Sequence, residues 1–387
     1  TASTMACVTE ALGMMLPGGA CIPAVMSERM RNAEATGARA VAIAKEGLTP
    51  DKVMTPDAFE NALTMLLAIG GSTNGIVHLA AMAGRLGIEI DLEAFDRMGS
   101  KTPVLVDLKP TGQHYMEDLE KAGGVVTILR ELRPLLKLKA LTITGRTLGQ
   151  NIDAALPAWK QDVVRPFRKP IFKSGGIAVL RGNLAPGGAI VKQSAATPKL
   201  MQHEGRAVVF DSLEDMAARI DSPTLDVTPD DILVLRNAGP KGAPGMPEAG
   251  YLPIPKKLAQ QGVKDMVRIS DARMSGTAFG SIVLHITPEA AVGGPLALVK
   301  SGDRIRLDVA KRRLELLVSD AELAARRKQW KAPKSRAGDE RGYRKLFLDT
   351  VQQADRGCDF DFLAPPVTAR APSTSSPRRT PGSRKVT

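Results

Sequence analysis

The chain has 387 residues, 43% of them hydrophobic and 24% charged, which is globular composition and excludes a fibrous or wholly disordered protein. At about 150 residues per domain it has room for two domains, each able to bury its own core. No apolar run approaches the ~20 residues that span a bilayer. Thr1-Ala2-Ser3-Thr4-Met5 has neither the basic n-region of a secretory signal nor an initiating Met, so the chain reads as one that begins inside a longer protein.

The net charge of +12 is local. Arg326 to Lys345 holds nine basic and two acidic residues, and residues 364–387 hold five basic and no acidic ones; the rest of the chain is balanced. A basic face over the whole body, the usual footprint of nucleic-acid binding, is not indicated. Aromatic residues make up 4% and do not interleave with the basic runs, which argues against single-strand binding. Three scattered cysteines, Cys7, Cys21 and Cys358, suit a reducing cytoplasm and apolar packing better than a disulfide framework or a CxxC metal site.

Residues 1–150 read as helical and α/β. Thr55-Pro56 is a helix start, a cap followed by Pro at the first helical position, and Phe59, Leu63, Leu66 and Leu67 follow at helical spacing. Gly70-Gly71 ends that helix. Ser72-Thr73-Asn74 can cap the next, through Ile76, Val77, Leu79, Ala80 and Ala83 to near Gly87. A further helix is expected from Tyr115 to Lys121, and Gly123-Gly124 opens an apolar stretch from Val125 to Leu132. Residues 151–173 are mixed, contain Pro and read as a linker. From there short β-rich runs dominate: Ile177–Leu180, Ala189–Val191, Ala207–Phe210, Ile232–Leu235, Met266–Ile269, Ile282–Ile286, Arg304–Val309 and Leu314–Val318. Turn signals between them predict a barrel or sandwich-like domain over 174–363, with short helices at Glu214–Ile220 and Pro253–Gln261. Residues 364–387 are rich in Pro, Ser, Thr and Arg and are expected to be a disordered basic tail.

Three glycine-rich turns are candidates for chemistry. Gly70 to Asn74 opens a helix, where free N–H groups and the helix dipole favour a carboxylate; a plain Ser/Thr cap is the alternative. Gly239 to Glu248 is a stiff loop with two prolines that can present Glu248 to a hard cation, or end in a solvated Glu. Ser270 to Gly280 lies between two apolar strands. Ser275 there is a base or nucleophile if its pKa is lowered, and otherwise a turn cap. It is not a GxSxG elbow. His78 and His114 belong to no zinc-binding pattern and read as packing or capping residues.

Taken together and in this order, the motifs resemble the dihydroxy-acid dehydratase / phosphogluconate dehydratase (IlvD/Edd) family. The matching stretches are Thr1–Met5 with Glu10–Gly13, Gly70–Asn74, His114–Asp118 with Ala122–Gly124, and Gly176–Gly182. Gly239–Gly245, Ser270–Gly280, Pro288–Ala291 and Ser319–Leu323 follow. Gln352 to Leu363 and Thr1 to Met5 are most similar to aldonate dehydratases of the L-arabinonate type, with the branched-chain amino-acid enzyme as runner-up.

The resemblance implies an α/β cluster-binding domain followed by a swivelling β-barrel-like domain. It implies a hydro-lyase that turns a 2,3-dihydroxy sugar acid into a 2-keto-3-deoxy acid, with a [2Fe–2S] or [4Fe–4S] cluster and Mg²⁺, as a cytoplasmic dimer or tetramer without nucleic-acid or membrane partners. It casts Ser275 as the base at C2, Thr277, Gly276, Ser72 and Thr73 as substrate contacts, and Glu248 as a Mg²⁺ ligand. The family's cluster cysteines and remaining Mg²⁺ ligands fall upstream of Thr1, and Cys7, Cys21 and Cys358 match none of them. The chain alone is therefore expected to bind no cluster and to be inactive. A non-catalytic binding module that keeps the barrel is the other reading.

Overall fold

The computed structural model describes residues 1–156, 159–248, 252–275, 279–334 and 336–365. Its first 154 residues are built from helices: α1 (Ala2–Ala11), α2 (Ser27–Glu46), α3 (Pro50–Val53), α4 (Pro56–Ala68), α5 (Asn74–Arg85), α6 (Leu92–Lys101), α7 (Met116–Lys121), α8 (Gly124–Glu131) and α9 (Leu148–Ala154). Helix α4 is the hub. Ten of its residues are buried, so it is apolar on almost every side, as a helix surrounded by others must be. Thr55 caps it, its Oγ1 accepting from Ala58 N at 3.4 Å. Helices α1, α5 and α8 join it in one apolar core with Val8, Leu66, Ile76 and Ile128. Helix α2 is the opposite case: it has no buried residue. Among the described residues no helix is long and apolar enough to cross a membrane.

The second unit is a closed mixed barrel. Its strands are β1 (Ala178–Gly182), β2 (Ala185–Val191), β3 (Gln202–Phe210), β4 (Ile232–Leu235), β5 (Arg268–Ser270), β6 (Ile282–Thr287), β7 (Arg304–Asp308) and β8 (Arg313–Leu316). They are ordered β1-β2-β6-β5-β4-β3-β7-β8 around the barrel. A barrel of this size fills with its own side chains, here Leu180, Ala189, Val191, Val209, Val234, Ile269 and Val283. Outside it, α10 (Leu213–Arg219) and α11 (Lys256–Gln260) cover a second apolar cluster around Phe210, Leu235 and Met266. Helices α12 (Asp320–Gln329) and α13 (Gly342–Thr350) follow the barrel. The basic tail from residue 366 on lies outside the described residues.

One feature of the topology positions the site. Strands β3, β4, β5 and β6 run parallel, and β4 and β5 pair in register, Leu235 opposite Ser270. Parallel neighbours end on the same side, so the glycine-rich loops that follow β4 and β5 leave the barrel together.

Candidate active site

Buried carboxylates pin these loops. Asp271 is 1% exposed and follows directly on β5. Its Oδ2 accepts from Asn237 N at 3.2 Å and Ala290 N at 2.9 Å, and its Oδ1 accepts from Ala238 N at 3.0 Å. One side chain thus gathers the ends of β4, β5 and β6. Burial pushes its pKa up to about 7, because three N–H donors do not fully replace water around a charge. Glu289, also 1% exposed, accepts from Lys241 N at 3.0 Å and Gly242 N at 2.9 Å, fixing the loop after β4. Gly239 is required there, since a Cβ would stand 2.7 Å from Glu289 Oε2.

At the far end of the loop after β5, Gly280 has φ +115°. A Cβ there would lie 2.0 Å from Arg268 Nη2. Arg268 and Asp265 form a buried ion pair at 2.9 Å. Asp265 also accepts from Ser281 N at 3.0 Å and from Thr197 Oγ1 at 2.6 Å. The segment that carries Ser275 is therefore anchored at both ends.

The helical unit meets these loops at the start of α5. Asn74 is fully buried. Its Nδ2 lies 2.5 Å from Glu248 Oε1, 2.9 Å from Met274 O and 2.9 Å from Thr1 Oγ1. One amide thus holds the predicted metal-binding carboxylate and the carbonyl just before Ser275. Glu248 and Arg273 also form a β-bridge, with Arg273 Nη1 3.9 Å from Glu248 Oε1 and Arg273 Nε donating to Met246 O at 2.5 Å. Ser275, Ser72 and Thr73, with Lys192, Gly280 and Ile282, line one cavity of about 20 Å³, room for roughly one water. Ser72 and Thr73 are 1% and 6% exposed. Ser72 Oγ accepts from Asn74 N at 3.3 Å, whereas Thr73, at the cap position, makes no side-chain capping bond. The first glycine turn is thus both a cap and a wall of the cavity.

The other candidates place as follows. Gly276 and Thr277 lie outside the described residues. His78 is half-buried on α5, and burial followed by the Arg273 charge holds its imidazole below the usual range. His285 on β6 is 4% exposed. Among the described residues its Nε2 has no hydrogen-bond partner, and burial pushes its pKa down to about 3. His114 stands apart, 4.0 Å from Asp118 and 3.9 Å from Asp162. Cys7 and Cys21 are buried in the helical core, and Cys358 Sγ lies 3.3 Å from Met246 Sδ. Sequence reasoning passed over Asn74, Lys192, Asp271 and Glu289 as site residues. Asn74, Asp271 and Glu289 stood inside quoted motifs, but nothing local distinguishes a clasp from a turn residue. Lys192 is a lone lysine after an apolar strand and carries no signal at all.

Residues 1–151 match the family model of the dihydroxy-acid/6-phosphogluconate dehydratase N-terminal domain, and residues 162–358 match that of the C-terminal domain. The chain belongs to the dihydroxy-acid/6-phosphogluconate dehydratase family. A putative dehydratase, IlvD1, of Rhizobium meliloti (strain 1021) is 51% identical over 363 residues, covering 94% of this chain and 63% of that protein. The L-arabonate dehydratase of Azospirillum brasilense is 49% identical, over 96% of this chain and 64% of its own length. A dihydroxy-acid dehydratase of Syntrophobacter fumaroxidans is 44% identical, over 92% and 63%. The chain thus spans less than two thirds of these curated relatives. Both family domains are represented, and the described cavity lies between the residues that each contributes.

Proposed function

We propose that the protein acts as a hydro-lyase on a 2,3-dihydroxy sugar acid, an aldonate, giving a 2-keto-3-deoxy acid. The observation that carries this is the convergence at the seam. Ser275, Ser72 and Thr73 share a cavity, and Asn74 ties Glu248 to the residue before Ser275. The aldonate class is supported by relatives named L-arabonate and L-arabinonate dehydratase, 49% and 50% identical, against 42–44% for those named dihydroxy-acid dehydratase.

The residues at the seam fit Mg²⁺. Among the described residues Asn74 Oδ1, a buried oxygen, has no hydrogen-bond partner; it lies beside the Glu248 carboxylate, and hard divalent cations take such oxygens. Glu248 and Asn74 would hold the ion, which when bound supplies positive charge beside the carboxylate end of the substrate. The cysteines of this chain do not fit an iron–sulfur cluster. Cys7 and Cys21 lie in the helical core, whereas Cys358 lies elsewhere, its Sγ 3.3 Å from Met246 Sδ, so the three do not form one ligand set. Among the described residues no group of three His, Cys, Asp or Glu could hold a metal, so no step is assigned to a cluster from these residues.

In this reading the cavity of about 20 Å³ is the corner of a site that must widen to admit the acid; Ser72 and Thr73 contact the acid there, and Ser275 takes the proton from C2. The C3–O bond breaks, proton and hydroxyl leave as water, and the C2–C3 enol tautomerises to the 2-keto acid. The test is to express the protein with whatever sequence precedes Thr1 in its gene and assay 2-keto acid formation from aldonates, with Ser275→Ala as control. Cluster-loaded protein that dehydrates no polyhydroxy acid, or a Ser275→Ala variant with full activity, refutes the reading.

A further inference from the structure

We propose that Lys192 is the positioning cation for Ser275: its charge, held across their shared cavity, lets the serine hydroxyl give up its proton. The proposal rests on the reading of Ser275 as a base. A serine hydroxyl ionises far above neutral pH. To act as a base it needs positive charge held nearby in a medium poorer than water at screening. Among the described residues lining this cavity, Lys192 alone carries a charge; the rest are hydroxyls, a glycine and aliphatic side chains.

The fold holds Lys192 in place. It follows Val191, the last residue of β2, which pairs with Val283 of β6. Lys192 O accepts from Ala195 N at 3.1 Å. Gln193 Nε2 donates to Gly175 O at 2.5 Å, and Ser194 N donates to Gly176 O at 3.2 Å. The backbone is thus fixed, while among the described residues the ammonium takes neither a hydrogen bond nor an ion pair that would neutralise it. Burial pushes its pKa down to about 8, so it remains charged at neutral pH. The charged or titratable groups around this corner are Glu248, Arg273, His78 and His285. Of these, Arg273 is engaged by Glu248 and Met246, and the buried histidine is neutral.

Two experiments test the assignment in the protein expressed from its complete reading frame. The first reads the charge without turnover. In Ser275→Cys, the thiol pKa is measured from the pH dependence of iodoacetamide labelling, with the labelled peptide identified by mass spectrometry. Adding Lys192→Met is expected to raise that pKa by about 1 unit or more; an unchanged value overturns the proposal whether or not the enzyme turns over. The second is kinetic. Lys192→Met is expected to lower kcat about a hundredfold near pH 7, to leave the KM for an aldonate within about threefold, and to shift the acid limb of the kcat profile upward. Lys192→Arg is expected to restore most of the rate. A profile superimposable on that of the unchanged enzyme, or a loss carried by KM, overturns it; the latter assigns Lys192 to the substrate carboxylate. If the unchanged enzyme dehydrates no polyhydroxy acid while the thiol shift is present, the functional reading fails and the electrostatic pairing stands.

Discussion

Asn74 Nδ2 sits 2.5 Å from Glu248 Oε1, although the two residues are 174 positions apart in sequence. Asn74→Ala leaves Glu248 and Met274 O without this buried donor, a loss of about 1–3 kcal/mol, and is expected to lower Tm by a few degrees. Asn74→Asp sets a second carboxylate against Glu248. Its melting temperature is expected to fall below that of Asn74→Ala without divalent cation and to recover on addition of Mg²⁺. Thermal scans with and without Mg²⁺ check both.

Glu248→Gln keeps the side chain's shape and removes its charge. The Mg²⁺ concentration needed for half-maximal turnover is expected to rise by at least about tenfold to a hundredfold, with little change in Tm. A chelated preparation of the unchanged protein should regain activity with Mg²⁺ at concentrations where Glu248→Gln does not. Equal Mg²⁺ requirements would remove Glu248 from the metal site.

Burial favours the uncharged form of both Asp271 and His285, but Asp271 is uncharged with its proton and His285 without one, so their contributions to stability run in opposite directions with pH. The folded-state pKa of Asp271 is raised to about 7 from an ordinary value of 3.8. Between these values the folded chain keeps a proton that the unfolded chain has released, so this group's contribution to stability falls as pH rises. The pKa of His285 is lowered to about 3 from 6.5. Over that window the unfolded chain binds the extra proton, and stability rises with pH. The penalty of Asp271→Asn should therefore be larger at pH 5 than at pH 8, and that of His285→Asn larger at pH 8 than at pH 5. Urea midpoints of each variant and of the unchanged protein at the two pH values decide it.

Gly280→Ala is expected to be severe for its size. The new methyl would overlap Arg268 Nη2 and stand 2.5 Å from Asp265 Oδ1, and the backbone is at φ +115°. Disrupting the buried pair costs about 3 kcal/mol or more, which corresponds to a Tm about 6–12 °C lower, together with loss of turnover through the Ser275 loop. A melting temperature within 2 °C, as an order-of-magnitude bound, would show that the pair accommodates the methyl.

The barrel was legible because its strands are short apolar runs punctuated by Gly, Pro and Asp; Ile232–Leu235 was located to the residue. Where a strand is polar it went unread. The first half of β3, from Gln202 to Gly205, is held by pairing with β7 and by ion pairs from Arg304 and Arg306 to Glu204, and neither leaves an alternating pattern. Helix α2 was missed for a related reason: with no residue buried, it has no apolar stripe to detect. At the site, Ser275, Glu248, Ser72 and Thr73 came from loop motifs and a family resemblance. Asn74 as a clasp and Lys192 in the cavity depend on two units meeting, which no local spacing encodes.

The walls around Ser275 come from two units that share apolar packing: Ile177, Val179 and Ile190 from the barrel side belong to one core with α4 and its neighbours, and Arg312 holds Asp96 at 2.8 Å across the same junction. Sliding one unit against the other would therefore expose hydrocarbon as well as break the contacts of Asn74. The shape of the cavity is expected to last as long as that common core does.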